Sequence, residues 1–340
     1  MKTGISRKRM WRIGGGVVLL LVIFFLLTDP GEIIAHLRDI EWADIVLSVI
    51  FFVIGCLFLT VRLRYILFNK SRWWDTFYAN SIGYLIHIAM FVPAMIGRTV
   101  TVGWITSVTV PQAYSALVVE RLLDMIMRVL VIVVGITVFS TGTDPLRSVA
   151  GNLIVLIVAF SVLYWLLKHR EKVVNWLVSL LTGFKGISET QIRDTASDLL
   201  EGLDAVGSTR RLVVSLLLSC IAWTFFFVFQ YLVIDALPVP YSTNQKLLIA
   251  AAVLAIMPPS VNVMLIVYQV VIIVSLVAFQ LTDTTTATAY SIVLYLVMLF
   301  CWAILGGWSY TQTDLKFSQL TAAIKQHTHK EDTIVTENSA

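Results

Sequence analysis

Long, nearly uninterrupted apolar runs recur along this chain, and they restrict its fold more than any other feature. From Ile126 to Phe139, for example, the sequence is apolar on all sides around Arg128 and Gly135. The strands of a membrane barrel would alternate apolar with polar residues instead. Of the 340 residues 58% are hydrophobic and 14% charged, against about 45–50% and about 25% in an ordinary soluble domain. Mean hydropathy is +0.85. A soluble domain of this size could not hide so much apolar surface, so lipid must act as the solvent for much of it. The expected fold class is therefore an all-α polytopic membrane protein, a helix bundle forming one transmembrane domain over 1–310 with a polar cytoplasmic tail at 311–340.

Conventional spans fall at about 12–28, 43–67, 112–139, 148–167, 212–234 and 285–308, each near the ~20 residues a bilayer needs. The first follows Lys2, Arg7, Lys8, Arg9 and Arg12 and ends in Thr28-Asp29-Pro30-Gly31 without a small-x-small cleavage site. It reads as an uncleaved anchor. Of the 25 Lys and Arg residues, 19 fall in segments 1–12, 62–72, 168–211 and 309–340. The opposite side holds only Arg38, Arg147 and Lys246. By the positive-inside rule both termini are cytoplasmic, in a cell (inner) membrane protein.

That orientation constrains two interrupted regions, 77–110 and 245–282, because each must return to the side it entered. In the first, Pro93 breaks a short run ahead of Gly97 and Gly103; in the second, Leu247–Met257 is followed by Pro258-Pro259. Proline removes a helical donor and clashes with the preceding turn. Carbonyls freed at membrane depth are tolerated only inside protein or beside a cavity. Two oppositely oriented broken or re-entrant hairpins, as in an inverted repeat with a midplane site, fit these sequences. Two ordinary helix pairs with proline kinks fit the same count. Between spans, 172–208 contains an amphipathic stretch whose Ser188 and Gln191 form a capping box, expected to lie on the membrane or against the bundle.

The densest polar feature in an apolar setting is Glu120-Arg121-Leu122-Leu123-Asp124 with Arg128. Glu120, Asp124 and Arg128 share one helix face, and two acids and two bases so spaced could neutralise one another along the helix. A structural ion cluster and a charged-headgroup site are both compatible with it. Arg98, beside Gly97 and just past Pro93, could hold a phosphate in a bidentate way, or reach the interface as a snorkelling side chain. Arg62 and Arg64 read as a membrane-surface basic patch that anchors the chain or recruits anionic lipid. His87 in its apolar helix is an ordinary hydrogen-bonded residue or a proton relay. Ser260 and Asn262 beside the paired prolines would bind a ligand or satisfy the broken backbone. Cys56, Cys220 and Cys301 sit singly in apolar runs and make neither a zinc site nor a disulfide framework. No nucleotide-binding glycine pattern, metal motif or cofactor site is visible.

The stretch from Arg62 to Arg128 resembles the lysylphosphatidylglycerol synthase transmembrane-domain family, also called the flippase-like family. The resemblance rests on Arg62-Leu63-Arg64 closing a span, on Gly83…Pro93…Gly97 in the first hairpin, and on the ERxxD match at Glu120-Arg121-Leu122-Leu123-Asp124. Pro258-Pro259-Ser260-Val261-Asn262 is similar to the family's second hairpin tip, and the likeness covers most of residues 10–310. There are departures. Val263, Leu265, Val267 and Tyr268 stand where the family carries glycines and an Arg-Glu pair. Thr99 and Val102 replace an acid and an arginine, and His87 takes an asparagine position. A divergent member is implied, without the aminoacyl-transferase domain, so lysyl transfer is not expected.

The resemblance implies lipid translocation or lipid-headgroup binding without ATP hydrolysis, for a phospholipid, aminoacylated lipid or polyprenyl-phosphate glycolipid. The candidate headgroup residues are Arg98, Glu120, Arg121, Asp124, Arg128 and Asn262. The alternative is a non-catalytic accessory or scaffold protein of a membrane glycosyltransferase or envelope-assembly complex. Membrane lipids are the expected partners in either case. No enzyme activity, cofactor, metal or nucleic-acid partner is expected.

Overall fold

The structure, a computed structural model, describes residues 31, 37–90, 94–139, 209–258 and 265–313. The expected spans at 12–28 and 148–167, the amphipathic segment 172–208, most of the tail, and Pro93, Ser260 and Asn262 lie outside the described residues. Every regular element among the described residues is a helix, in the order α1 (Trp42–Ile66), α2 (Trp73–Met90), α3 (Ala94–Ile105), α4 (Val110–Phe139), α5 (Thr209–Asp235), α6 (Thr243–Ile256), α7 (Leu265–Ala278) and α8 (Thr284–Thr311). The protein is an all-α membrane protein. By length and composition α1, α8 and the stretch Arg210–Asp235 of α5 are long and apolar enough to cross a bilayer, as the sequence predicts for 43–67, 285–308 and 212–234.

The helices start and stop where the sequence supplies end groups. Asp44 lies in the first turn of α1 and Arg64 in its last, each complementing the helix dipole. Phe68 and Asn69 then take left-handed backbone conformations, φ 60° and 56°, and the Asn69 N–H returns to the Arg64 carbonyl at 2.9 Å. Ser242 caps α6 by accepting from the Gln245 N–H, and Asp283 caps α8 by accepting from the Thr286 N–H. Both satisfy amides that a helix start leaves without partners.

Packing fixes the directions. On α1 and α5, Glu41 meets Ala236, Phe52 meets Phe229, and Arg62 meets Ser219. Advancing along one helix retreats along the other, so the pair is antiparallel. Their rings mesh along the shared face: Phe52 stands edge-on to Phe229 and to Trp302 of α8, with centroids 5.1 and 5.3 Å apart. This apolar core continues through Tyr268, Tyr290, Leu294 and Met298. Because lipid tails are as apolar as these side chains, close packing rather than water exclusion has to hold the helices together. Gly306 shows how close: a Cβ there would lie 2.9 Å from the Ser81 carbonyl of α2.

Helices α2 and α3 form one hairpin. Asn80 pairs with Arg98 and Gly83 faces Thr101, while at the open end Ser107 donates to the Lys70 carbonyl at 2.6 Å. Helices α6 and α7 form the second, joined at their open end by Tyr241 with Thr282 at 2.6 Å and by Gln245 Nε2 donating to the Leu281 carbonyl at 3.3 Å. The first hairpin opens at the end of the bundle that carries Arg64, Lys70, Arg72 and Arg211. The second opens at the end that carries Glu41, Asp44, Asp235 and Asp283, with Lys246 on Asp235. The two hairpins thus point in opposite directions, and charge separates between the ends.

Candidate functional site

Where α1 to α5 converge, two carboxylates and two guanidinium groups are buried together. Glu120 and Asp124, one turn apart on α4, both face inward. Arg62 of α1 bridges them, with Nη2 2.6 Å from Glu120 Oε1 and Nη1 2.8 Å from Asp124 Oδ1. The same Nη1 donates to Ser219 Oγ of α5 at 2.9 Å. Arg98 of α3 takes the other Glu120 oxygen at 2.7 Å and donates from Nε to Asn80 Oδ1 of α2 at 2.8 Å. Trp223 of α5 donates its indole N–H to Asp124 at 3.3 Å. None of the four charged residues is more than 2% exposed.

Charge balance explains why such a cluster is tolerated. Two acids face two bases, and the fork of each guanidinium supplies paired donors that a lysine could not. Arg98 lies against the Tyr84 ring, 4.8 Å from its centroid, a cation–π contact in a dry setting. Tyr84 in turn stacks on Trp302 at 3.9 Å, so the ion network rests on the aromatic core. Gly83 makes this possible. A Cβ there would meet the Arg98 Cα at 2.8 Å, and no side chain fits between α2 and α3 at that point.

These contacts revise two expectations. Arg62 is not part of a membrane-surface basic patch with Arg64. It is fully buried because it lies a turn before the end of α1 on the face that meets α4 and α5. Arg64 is half-buried at the helix end and donates from Nε to the Ser71 carbonyl at 2.9 Å. Second, the acids are not neutralised along their own helix by Arg128. Asp124 turns to α1, and Arg128 makes no ion pair with the described residues. Arg98, expected beside a phosphate or at the interface, is instead buried in the network. Arg121 is half-buried on α4. Sequence reasoning missed Asn80, Tyr84, Ser219 and Trp223. Each is a polar or aromatic residue in an apolar helix, with no local signal for a partner up to 157 positions away.

An apolar groove of about 190 Å³ opens beside the network, between α4, α5 and α6. Met127, Val131, Gly135, Phe227 and Ala251 line it, and so does Trp223, whose indole N–H is on Asp124. The groove and the charges thus share a wall. Farther along the bundle, Ser291 of α8 donates to Gln269 of α7, and the Tyr268 hydroxyl approaches Met298 Sδ at 3.8 Å.

The sequence profile of the family described as "Lysylphosphatidylglycerol synthase TM region" matches residues 12–306. The chain belongs to this family. That match spans every helix that contributes to the ion network and the groove, and it covers the ERxxD segment at Glu120–Asp124. No curated protein and no solved structure matches the chain. Membership and the apolar helices together assign it a membrane lipid-related role.

Proposed function

We propose that this protein binds lipid headgroups within a cell membrane and moves lipid between leaflets without hydrolysing ATP. The observation that carries this reading is the groove beside the ion network. An amphiphile needs a polar place and an apolar place next to each other, and Trp223 borders both. Family membership supports the lipid class; phospholipid, aminoacylated lipid and polyprenyl-phosphate glycolipid are the cargo candidates.

In this reading the chain is multi-pass with both termini cytoplasmic, and the end carrying Arg64, Lys70, Arg72 and Arg211 faces the cytoplasm. The opposed hairpins are re-entrant and shape a cavity open in turn to each leaflet. At 12 residues α3 is short against the ~20 that a crossing needs, and α6 and α7 at 14 are too. The test is a scramblase assay on the purified protein in liposomes, following fluorescent lipid in each leaflet. Lipid movement above that of empty liposomes is expected. Unchanged sidedness, both with and without ion gradients, would end the transport reading.

One observation favours a second reading, a non-catalytic accessory protein of a membrane glycosyltransferase or envelope-assembly complex. The acids of the network are already paired, so the cluster can hold helices together with no ligand bound. Copurification with such a partner, and no co-bound lipid in native mass spectrometry, would favour the scaffold.

A further inference from the structure

Arg128 is a charged residue of α4 that stands outside the ion network. It sits one turn beyond Asp124 on α4, at a spacing that allows pairing. Asp124 instead accepts from Arg62 and Trp223. Arg128 is half-buried, makes no hydrogen bond or ion pair with the described residues, and keeps its Nε buried without a partner. A guanidinium does not escape this by losing its proton.

Its depth makes that costly. Adjacent Met127 touches Cys220, sulfur to sulfur, at 3.8 Å, and Cys220 lies near the middle of α5. Arg128 is therefore about 15 Å or more from either end of that helix. An arginine side chain does not reach so far, so the snorkelling that serves charges near helix ends fails here. Around it the helix faces outward: Met125 is 61% and Ile132 47% exposed. Among the described residues no acid bonds to Arg128, and this outward face is open to an anion that arrives from the bilayer. The anion a bilayer supplies is a lipid phosphate, and the guanidinium fork matches two of its oxygens. The apolar groove along Met127, Val131 and Val134 of the same helix gives an acyl chain a place to lie.

We infer that Arg128 is a mid-membrane binding site for the phosphate of an anionic lipid. This rests on the lipid-binding reading above and names the chemistry it recognises. Network arginines Arg62 and Arg98 hold the helices; Arg128 meets the cargo.

The test uses the full chain in nanodiscs of mixed phosphatidylglycerol and phosphatidylcholine, with retained lipid read by native mass spectrometry. The wild type is expected to retain phosphatidylglycerol preferentially. Arg128→Gln is expected to lose about tenfold of that preference, the loss of a hydrogen-bonded charge pair, while Arg128→Lys keeps an intermediate preference. Arg128→Gln should melt at or above the wild-type temperature, because no internal bond is lost. Undiminished phosphatidylglycerol preference in Arg128→Gln overturns the site. So does a variant that fails to fold or melts lower, since that marks an internal partner. Displacement of the lipid by millimolar inorganic phosphate overturns the lipid assignment in favour of a water-filled anion site. A wild type that holds phosphatidylglycerol through Arg128 yet moves no lipid supports the site while ending the transport reading.

Discussion

The two hairpins solve the same topological problem with different chemistry. In the first, α2 and α3 lie against each other along their length, and the seam is polar. Asn80, Arg98 and Thr101 are buried there, and Gly83 lets the backbones approach. In the second, α6 packs chiefly on α4 and α5, and α7 on α8, so the two arms stand apart. Its arms carry little polarity beyond the capped start of α6 and Gln269. A charged seam demands closed geometry, because a buried ion without its partner is expensive. An apolar arm needs only neighbours of matching shape, so it is free to follow different helices.

The largest expected effect is to unbalance the first seam. Arg62→Ala takes the guanidinium partner from Asp124 and leaves Glu120 with Arg98 alone, at a cost of about 3–5 kcal/mol, a large share of the about 5–15 kcal/mol that holds a typical protein folded. Arg62→Lys should fail to rescue it, since one ammonium cannot serve two carboxylates as the fork does. Size-exclusion profiles and melting of the detergent-purified protein report this. The matching truncation of the second hairpin's polar pair, Ser291→Ala, should cost only about 1 kcal/mol. Equal losses from the two variants would erase the distinction between the hairpins.

A smaller effect sharpens the role of close approach. Gly83→Val must displace Arg98, whose Cα lies 2.8 Å from the new Cβ, and overpacking of this kind costs about 1–3 kcal/mol. Gly307 of α8 has nothing within 4 Å of a Cβ. Gly307→Ala should therefore be neutral or gain up to about 1 kcal/mol from helix propensity. If both substitutions were equally tolerated, measured as melting shifts, the seam between α2 and α3 would be looser than its geometry.

The legibility of the sequence divides along the same line. Apolar runs and flanking charges located α1, α4, α5 and α8 to within a few residues, because a lipid-facing helix is specified by its own composition. The prolines and short lengths marked the second hairpin. The ERxxD segment singled out Glu120 and Asp124 as charges that share one helix face in an apolar setting. What stayed hidden was pairing between helices. Arg62 looks like any positive-inside anchor because its burial depends on where α4 and α5 pass, and no local spacing reports that. The i, i+4 pattern of Asp124 and Arg128 was misleading for the same reason: a buried guanidinium on another helix competes better for the carboxylate than an outward-facing one on its own.

The smallest effect lies at the open end of the second hairpin, where charge is exposed and solvent dilutes it. Asp283 accepts from the Thr286 N–H at 2.8 Å and from the Tyr241 hydroxyl at 2.7 Å. Partial burial pushes its carboxyl up, but these bonds outweigh burial and hold it below the usual carboxylate range. A carboxyl with a depressed folded value adds stability that is complete above the unfolded value, about 3.9, and lost as pH falls through the folded value. The wild type should therefore lose this increment on acidification, and Asp283→Asn, which still caps but does not titrate, should not. Asp283→Ala should cost about 1 kcal/mol at neutral pH. Parallel melting curves of wild type and Asp283→Asn from pH 7 down to pH 3 would mean that the carboxylate's charge does not help to close that end, and that its oxygens act only as a neutral cap.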